Sequence, residues 1–227
     1  MAKIYDVSMP VHPGMPVYKN KAEKQPVIEV VRDFDNGGGG DRGAPGAQGT
    51  LSTRDVRGIR ETHIHLGAHT GTHVDAPLHI MPGGPTLEEA YDPEMFFGTC
   101  RVLDLIGVEE RITRRDLEDQ GIQAGEFILC QTRNSWREGF DFNFVDLAPD
   151  AAQYLAEKGI RGVGLDALGI ERDQPDHASH RALLEKRIMV VEGLRLKEVP
   201  PGAYLLLVAP LKLIGTEAAP ARVLLLG

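Results

Sequence analysis

At 227 residues and 24.8 kDa, the chain is the size of one domain and long enough to bury a full hydrophobic core. Apolar residues make up 42% and charged residues 26%, the balance of a soluble globular protein. A formal charge of −8 and no basic run argue against a nucleic-acid surface or an anionic-membrane patch. No apolar stretch approaches the length of a membrane span, and MAKIYDVSMPVHPG lacks the charged-then-apolar pattern of a signal peptide. A cytoplasmic location is expected, with a small molecule rather than nucleic acid or membrane as the partner.

In chain order, residues 3–7 predict a short strand that gives way to a loop holding Pro10, Pro13, Gly14 and Pro16. Residues 26–32 (PVIEVVR) are rich in β-branched side chains and predict a second strand. Residues 36–49 (NGGGGDRGAPGAQG) cannot form a packed element and read as a glycine-rich flexible loop, either a hairpin tip or a gating lid. Residues 59–66 (IRETHIHL) alternate apolar and polar positions and lead into a run of histidines.

The second half alternates. Strands are predicted at 100–105, 126–131, 162–166, 187–191, 203–209 and 221–226, and helices at 113–120, 150–158 and 177–185. Thr113 stands where an N-cap would, Pro149-Asp150 is an equally good helix start, and Gly159 a good stop. No internal repeat and no linker divides the chain, so one domain of mixed α and β over 1–227 is expected. Cys100 and Cys130 fall in predicted buried strands without zinc-knuckle or redox spacing, and read as reduced core thiols.

Five of the eight histidines (His63, His65, His69, His73, His79) lie between positions 63 and 79. Within 69–79 (HTGTHVDAPLH), His69, His73, Asp75 and His79 all take odd positions, so on extended chain they share a face. Imidazole and carboxylate are the usual ligands of a catalytic divalent ion. A straight strand of this length would span roughly 33 Å at about 3.3 Å per residue, so the segment must bend. Gly71 and Pro77 are placed to bend it. His69, His73 and Asp75 could hold one ion with a position left for water. The two oxygens of Asp75 could also bridge to a second ion. Its further ligands would come from His177, His180, Glu185 or Glu192, and Glu192 ends an apolar strand where an unpaired carboxylate is costly. His63 and His65 read as strand residues rather than ligands.

This run resembles HxGTHxDxPxH, the signature of the cyclase-type metal-dependent hydrolases, a superfamily that includes bacterial kynurenine formamidase and isatin hydrolase. The likeness extends to IYDVSMPVHPGMPVY at the start and to GIRGVGLDALGIERD, His180-Arg-Ala-Leu-Leu and Ile188-Met-Val-Val-Glu192 later in the chain. It covers nearly the whole chain except the glycine loop. The resemblance implies an α+β fold, a single compact domain with a β-barrel-like core flanked by helices (the swivelling β/β/α type), assembled as a homo-oligomer. It implies that His69, His73 and Asp75 hold one ion, that Asp75 bridges to a second held by His180 and Glu192, and that His79 is the proton donor and acceptor. The formamidases carry a substrate-packing tryptophan in the N-terminal loop, where this chain has Tyr18. Where the family often reads Asp-x-x-Ser-x-Asp, this chain has Asp166-Ala-Leu-Gly169-Ile-Glu171. Isatin hydrolases use one manganese and need not retain a glutamate at the position of Glu192, so Glu192 favours two ions.

The expected function is hydrolysis of a small amide, arylformamidase-like, at one or two divalent ions per chain, zinc first and manganese as the alternative. A bound ion lowers the pKa of its water towards about 7, and His79 would pass the proton to the leaving nitrogen. Rival readings are an isatin-hydrolase-like lactam hydrolase, a metal-dependent cyclase or dehydratase, and a metal-stabilised binding module. The last fits poorly, since structural zinc sites favour cysteine. Tyr18 is the candidate substrate-binding residue, Trp136 either lines the pocket or packs beside Phe140 and Phe142, and His12 is a weaker candidate.

Overall fold

A computed structural model of the protein describes residues 3–33 and 59–227, so the glycine-rich stretch 36–49 lies outside the described residues. Twelve strands are present among them: β1 (Ile4–Asp6), β2 (Val27–Arg32), β3 (Glu61–His65), β4 (His73–Asp75), β5 (Phe97–Asp104), β6 (Arg111–Ile112), β7 (Phe127–Gln131), β8 (Asp146–Leu147), β9 (Gly162–Leu165), β10 (Met189–Glu192), β11 (Gly202–Pro210) and β12 (Ala218–Leu226). Four α-helices accompany them: α1 (Leu87–Ala90), α2 (Arg114–Glu118), α3 (Pro149–Lys158) and α4 (Ala178–Leu184).

All five residues of β7, FILCQ, are buried, as in a strand covered on both faces. The two coverings follow from the period of two. Phe127 and Leu129 join an apolar cluster with Val74, Cys100, Val102, Val191, Leu206 and Val223, while Ile128 and Cys130 join another with Leu117, Ala151, Leu155 and Leu183 from the helices. The first cluster is the inside of a barrel. Strand order β12-β11-β5-β7-β9-β10-β4 closes on itself because β4 pairs again with β12, making a closed barrel of seven strands. β1 extends the sheet along the far end of β12. Neighbours among β5, β7, β9 and β10 run parallel, with α2, α3 and α4 packed outside them; the remaining junctions are antiparallel.

β9 contributes space rather than bulk to the interior. A Cβ on Gly162 would run into the Phe127 ring, and one on Gly164 would lie 2.6 Å from Leu194 Cδ1 and 2.7 Å from Leu129 Cδ2. Neither cysteine is paired, and both are buried.

The helix signals hold locally. Asp116 accepts the Thr113 backbone N–H at 2.7 Å and its hydroxyl at 2.6 Å, although α2 ends at Glu118, short of the predicted 120. Pro149 opens α3, and Gly159 closes it in the left-handed region (φ 67). β3 forms as the alternation in 59–66 requires, but among the described residues it pairs only with β2, in a two-stranded ribbon separate from the barrel with largely exposed side chains.

Candidate metal centre

β4 is the root of the site. Its alternation sends Val74 into the barrel and leaves His73 and Asp75 on the outer face. Antiparallel register sets His73 directly opposite Glu192 and Asp75 opposite Val190. Glu192, last in β10, therefore meets His73 across the strand pair, with its Oε2 3.3 Å from His73 Nε2. α4 packs over this seam and lowers His180 onto it, Nε2 lying 3.5 Å from Asp75 Oδ2 and 3.3 Å from Glu192 Oε1.

The bend expected within 69–79 is built from two glycines and one hydroxyl. Gly71 (φ 65) and Gly193 (φ 72) occupy the left-handed region, and a Cβ on Gly193 would collide with the Gly71 carbonyl oxygen. Thr72 Oγ1 donates to Gly193 O at 2.6 Å and accepts from Met9 N at 2.8 Å, tying the turn to both the strand exit and the N-terminal loop. The turn folds His69 back so that its Nδ1 is 3.0 Å from Asp75 Oδ1. After β4, Pro77 opens a 3-10 turn, Pro77–His79, which carries His79 to the cluster. The His79 ring centroid is 4.3 Å from that of His69 and 5.5 Å from that of His180.

Asp75 divides its oxygens. Oδ1 faces His69 Nδ1 at 3.0 Å and His73 Nε2 at 3.4 Å, whereas Oδ2 faces His180. His73 and His180 present the same nitrogen inward for the same reason. Nδ1 of His73 lies 2.9 Å from Gly71 O, and Nδ1 of His180 lies 2.9 Å from Glu171 Oε1. A proton on each Nδ1 reserves each Nε2, which faces the carboxylates, as the atom that could bind a metal ion. Both Nε2 atoms, His180 Nδ1 and both Asp75 oxygens are buried without an aligned hydrogen bond, although His180 Nδ1 lies close to Glu171. Such atoms are expensive unless something satisfies them, and these point at one another. A divalent ion fits this donor set: His69, His73 and Asp75 form one candidate group, and Asp75, His180 and Glu192 another.

The electrostatics agree. Burial disfavours charge on His73, but Asp75 and Glu192 outweigh it and raise the imidazole to about 10. Burial likewise opposes a charged His180, and Asp75, Glu171 and Glu192 overcome it, holding it well above the usual imidazole range. Burial would raise both acids; the histidines instead hold Asp75 well below the carboxylate range and Glu192 at about 2. His79 goes the other way. Burial, then the charges of His69 and His180, lower it despite Asp75 and Glu192, so it is a neutral imidazole near pH 7.

A cleft of about 480 Å³, a size suited to a small molecule, opens onto His69, His73, His79, His180 and Glu192. Tyr18 and His177 also line it; Trp136 and His12 do not. Trp136 is partly exposed, and His12 is exposed with its Nδ1 at Pro13 O. His63 and His65 lie exposed on β3, and Glu185 is exposed at the end of α4.

Glu171 is the residue that the ligand reading missed. Its Oε1 meets His177 Nδ1 at 2.6 Å and His180 Nδ1 at 2.9 Å, and its Oε2 accepts the backbone N–H groups of Ser179 and His180. The signal was present as a carboxylate standing where the family often has aspartate, but its contact with His180 depends on how α4 docks.

The family model for putative cyclases matches residues 5–172, a span that includes the whole 69–79 run. The chain belongs to the cyclase-type metal-dependent hydrolases. Kynurenine formamidase of Salinibacter ruber is 34% identical over 174 residues, covering 75% of this chain and 82% of that protein. The solved structure of a potential metal-dependent hydrolase with cyclase activity is 46% identical, with a TM-score of 0.84 over 100% of this chain and 98% of that one. Isatin hydrolase A from Labrenzia aggregata shares the fold, with a TM-score of 0.79 at 23% identity over 99% of this chain and 93% of that one. No helix among the described residues is long and apolar enough to cross a membrane.

Proposed function

We propose that this member of the family hydrolyses the C–N bond of a small amide, in the manner of an arylformamidase, with divalent metal held by His69, His73, Asp75, His180 and Glu192. The observation that carries this reading is the convergence of unsatisfied buried donors on Asp75, whose two oxygens face different histidines. That division suits a carboxylate shared between two ions. Zinc is the first expectation and manganese the alternative, since imidazole and carboxylate suit both.

When bound, the metal supplies an acidified water and a Lewis acid for the scissile carbonyl. The protein groups do the rest. Asp75 and Glu192 bring two negative charges, so a centre holding two divalent ions would stay positive where negative charge develops on the carbonyl oxygen. The Nδ1 contacts of His73 and His180 hold both rings in place as the substrate enters. His79, beside this set and neutral, takes the proton of the attacking water at a ring nitrogen and returns it to the leaving nitrogen. Tyr18 forms part of the wall against which the rest of the substrate lies.

The test is turnover by the metal-loaded chain on N-formyl aromatic amines, lactams and esters, with product masses recorded. Formamide cleavage with one water gained is expected. A product of unchanged mass, or one lacking a water, would indicate a cyclase or dehydratase, and no turnover on the whole panel would refute the reading. A homo-oligomer is the proposed assembly, supported by exposed Val27, Ile28, Val30 and Ile64 on the β2–β3 ribbon and checked by light scattering.

A further inference from the structure

The cleft has a second chemical character at its mouth. Lys19 and Lys24 line it, their Nζ atoms 5.3 Å and 5.2 Å from the Tyr18 ring centroid. Neither makes an ion pair with a described carboxylate, whereas Lys21 between them pairs with Glu23 at 3.8 Å and does not line the cleft. Of the acids that line it, Glu171 and Glu192 are engaged with histidines, and Asp173 makes no ion pair with either lysine. Two ammonium groups therefore line the cleft with no ion-pair partner among the described carboxylates.

The backbone holds this arrangement against its own preference. Five described non-glycine residues have left-handed φ; three of them (Lys19, Asp173 and His177) line this one cleft, and a fourth, Asn20, adjoins Lys19 in the chain. Strain of this kind persists only where surrounding structure imposes it, and it gathers at binding sites. The Tyr18 ring is set edge-on to Phe140, centroids 5.1 Å apart, and a Cβ at Gly169 would lie 3.1 Å from Tyr18 Cε2. Gly169 thus makes room for the ring, and two positions far apart in sequence shape one wall.

We propose that Lys19 and Lys24 form an anion subsite, so that the preferred amide carries a carboxylate on the part lying against Tyr18, away from the bond that is cleaved. The proposal rests on the amide-hydrolase reading above. A chain of net charge −8 repels an anionic substrate at long range, and a local pair of cations at the mouth reverses that field where entry occurs. An uncharged substrate would need no such pair. Two-point binding, amide at the metal centre and carboxylate at the lysines, also fixes orientation before reaction.

The experiment compares 3-formamidobenzoate with 3-formamidobenzamide, which share the same scissile bond and differ in charge. At low salt the carboxylate is expected to show a kcat/KM higher by about tenfold, the scale of two exposed ion pairs. That ratio should shrink with added salt and approach one in the Lys19→Met/Lys24→Met variant. A ratio near one in the unmodified chain, or an unchanged ratio in the variant, overturns the subsite. Should neither formamide turn over, the amide reading fails on its own. Calorimetry of 3-aminobenzoate and 3-aminobenzamide binding to the metal-loaded chain then decides. Weaker benzoate binding in the double variant supports the subsite, and equal binding overturns it.

Discussion

Replacing Glu171 with glutamine tests whether the proposed metal centre depends on the carboxylate behind His180. Both oxygens of the carboxylate are engaged: one lies 2.6 Å from His177 Nδ1 and 2.9 Å from His180 Nδ1, and the other accepts the backbone N–H groups of Ser179 and His180 at 3.1 Å and 3.2 Å. Glutamine offers one acceptor oxygen and one NH2. With its oxygen kept on the backbone side, the NH2 faces His180 Nδ1 and favours a proton on Nε2, the nitrogen that faces Asp75 and Glu192. With the amide reversed, the NH2 faces two N–H groups. Either way, presentation of Nε2 is penalised, and loss of such a partner typically costs about 10–100-fold in metal affinity, or roughly 1.4–2.7 kcal/mol. The assay is a competition titration of EDTA-treated protein with zinc against a chromophoric chelator. Glu171→Asp should recover part of the loss, because it keeps the charge at a shorter reach. His177→Ala removes only a largely exposed imidazole and should change affinity by less than about threefold. An affinity within twofold of the unmodified chain for Glu171→Gln, or an equal loss for His177→Ala, would refute this role.

His79→Ala should lower turnover by about 10²–10⁴ while leaving metal content unchanged, as measured by elemental analysis beside a thermal melt. Loss of metal in parallel would mean that His79 is a ligand instead. Gly193→Ala must place a Cβ against the Gly71 carbonyl, 3.1 Å from Thr72 Cα, at a backbone φ of 72. A destabilisation of about 2–4 kcal/mol with weakened metal binding is expected, and an unaltered melting temperature would contradict it. In EDTA-treated protein, the folded His73 titrates near 10 rather than 6.5, so its stabilising contribution is complete below pH 6.5 and is lost as the pH rises through 10. Asp75 and Glu192, both depressed, contribute above their unfolded values and lose that contribution on acidification. The melting temperature should therefore fall on both sides. Zinc uptake at pH 7 should release protons from His73 and His180, read by calorimetry in buffers of differing ionisation enthalpy; no proton release would count against these protonation states.

Much of the centre was legible in sequence because His69, His73, Asp75 and His79 lie within one bent segment, and the bend marks itself with Gly71 and Pro77. Thr113, Pro149 and Gly159 were readable for the same reason, since capping is decided by a few neighbouring residues. The four-residue α1 and the 3-10 turn at Tyr18–Asn20 were not, being too short to carry a period. The strand alternation in 59–66 was real, yet its pattern was silent about whether that strand joins the barrel or stands apart with β2.

Chain-local chemistry thus determined the donor types, the turn residues and the alternation of strands and helices, and likeness to a family pointed to His180 and Glu192. Only the tertiary structure decided that β4 closes the barrel between β10 and β12, which brings His73 opposite Glu192. It also decided that Glu171 stands behind His180, that Gly169 makes room for Tyr18, and that Lys19 and Lys24 face the same cleft as the histidines. Each of these depends on strand register or helix docking between segments from about nine to 150 residues apart. Side-chain period specifies which face a residue takes; what lies opposite that face is set by closure of the whole sheet.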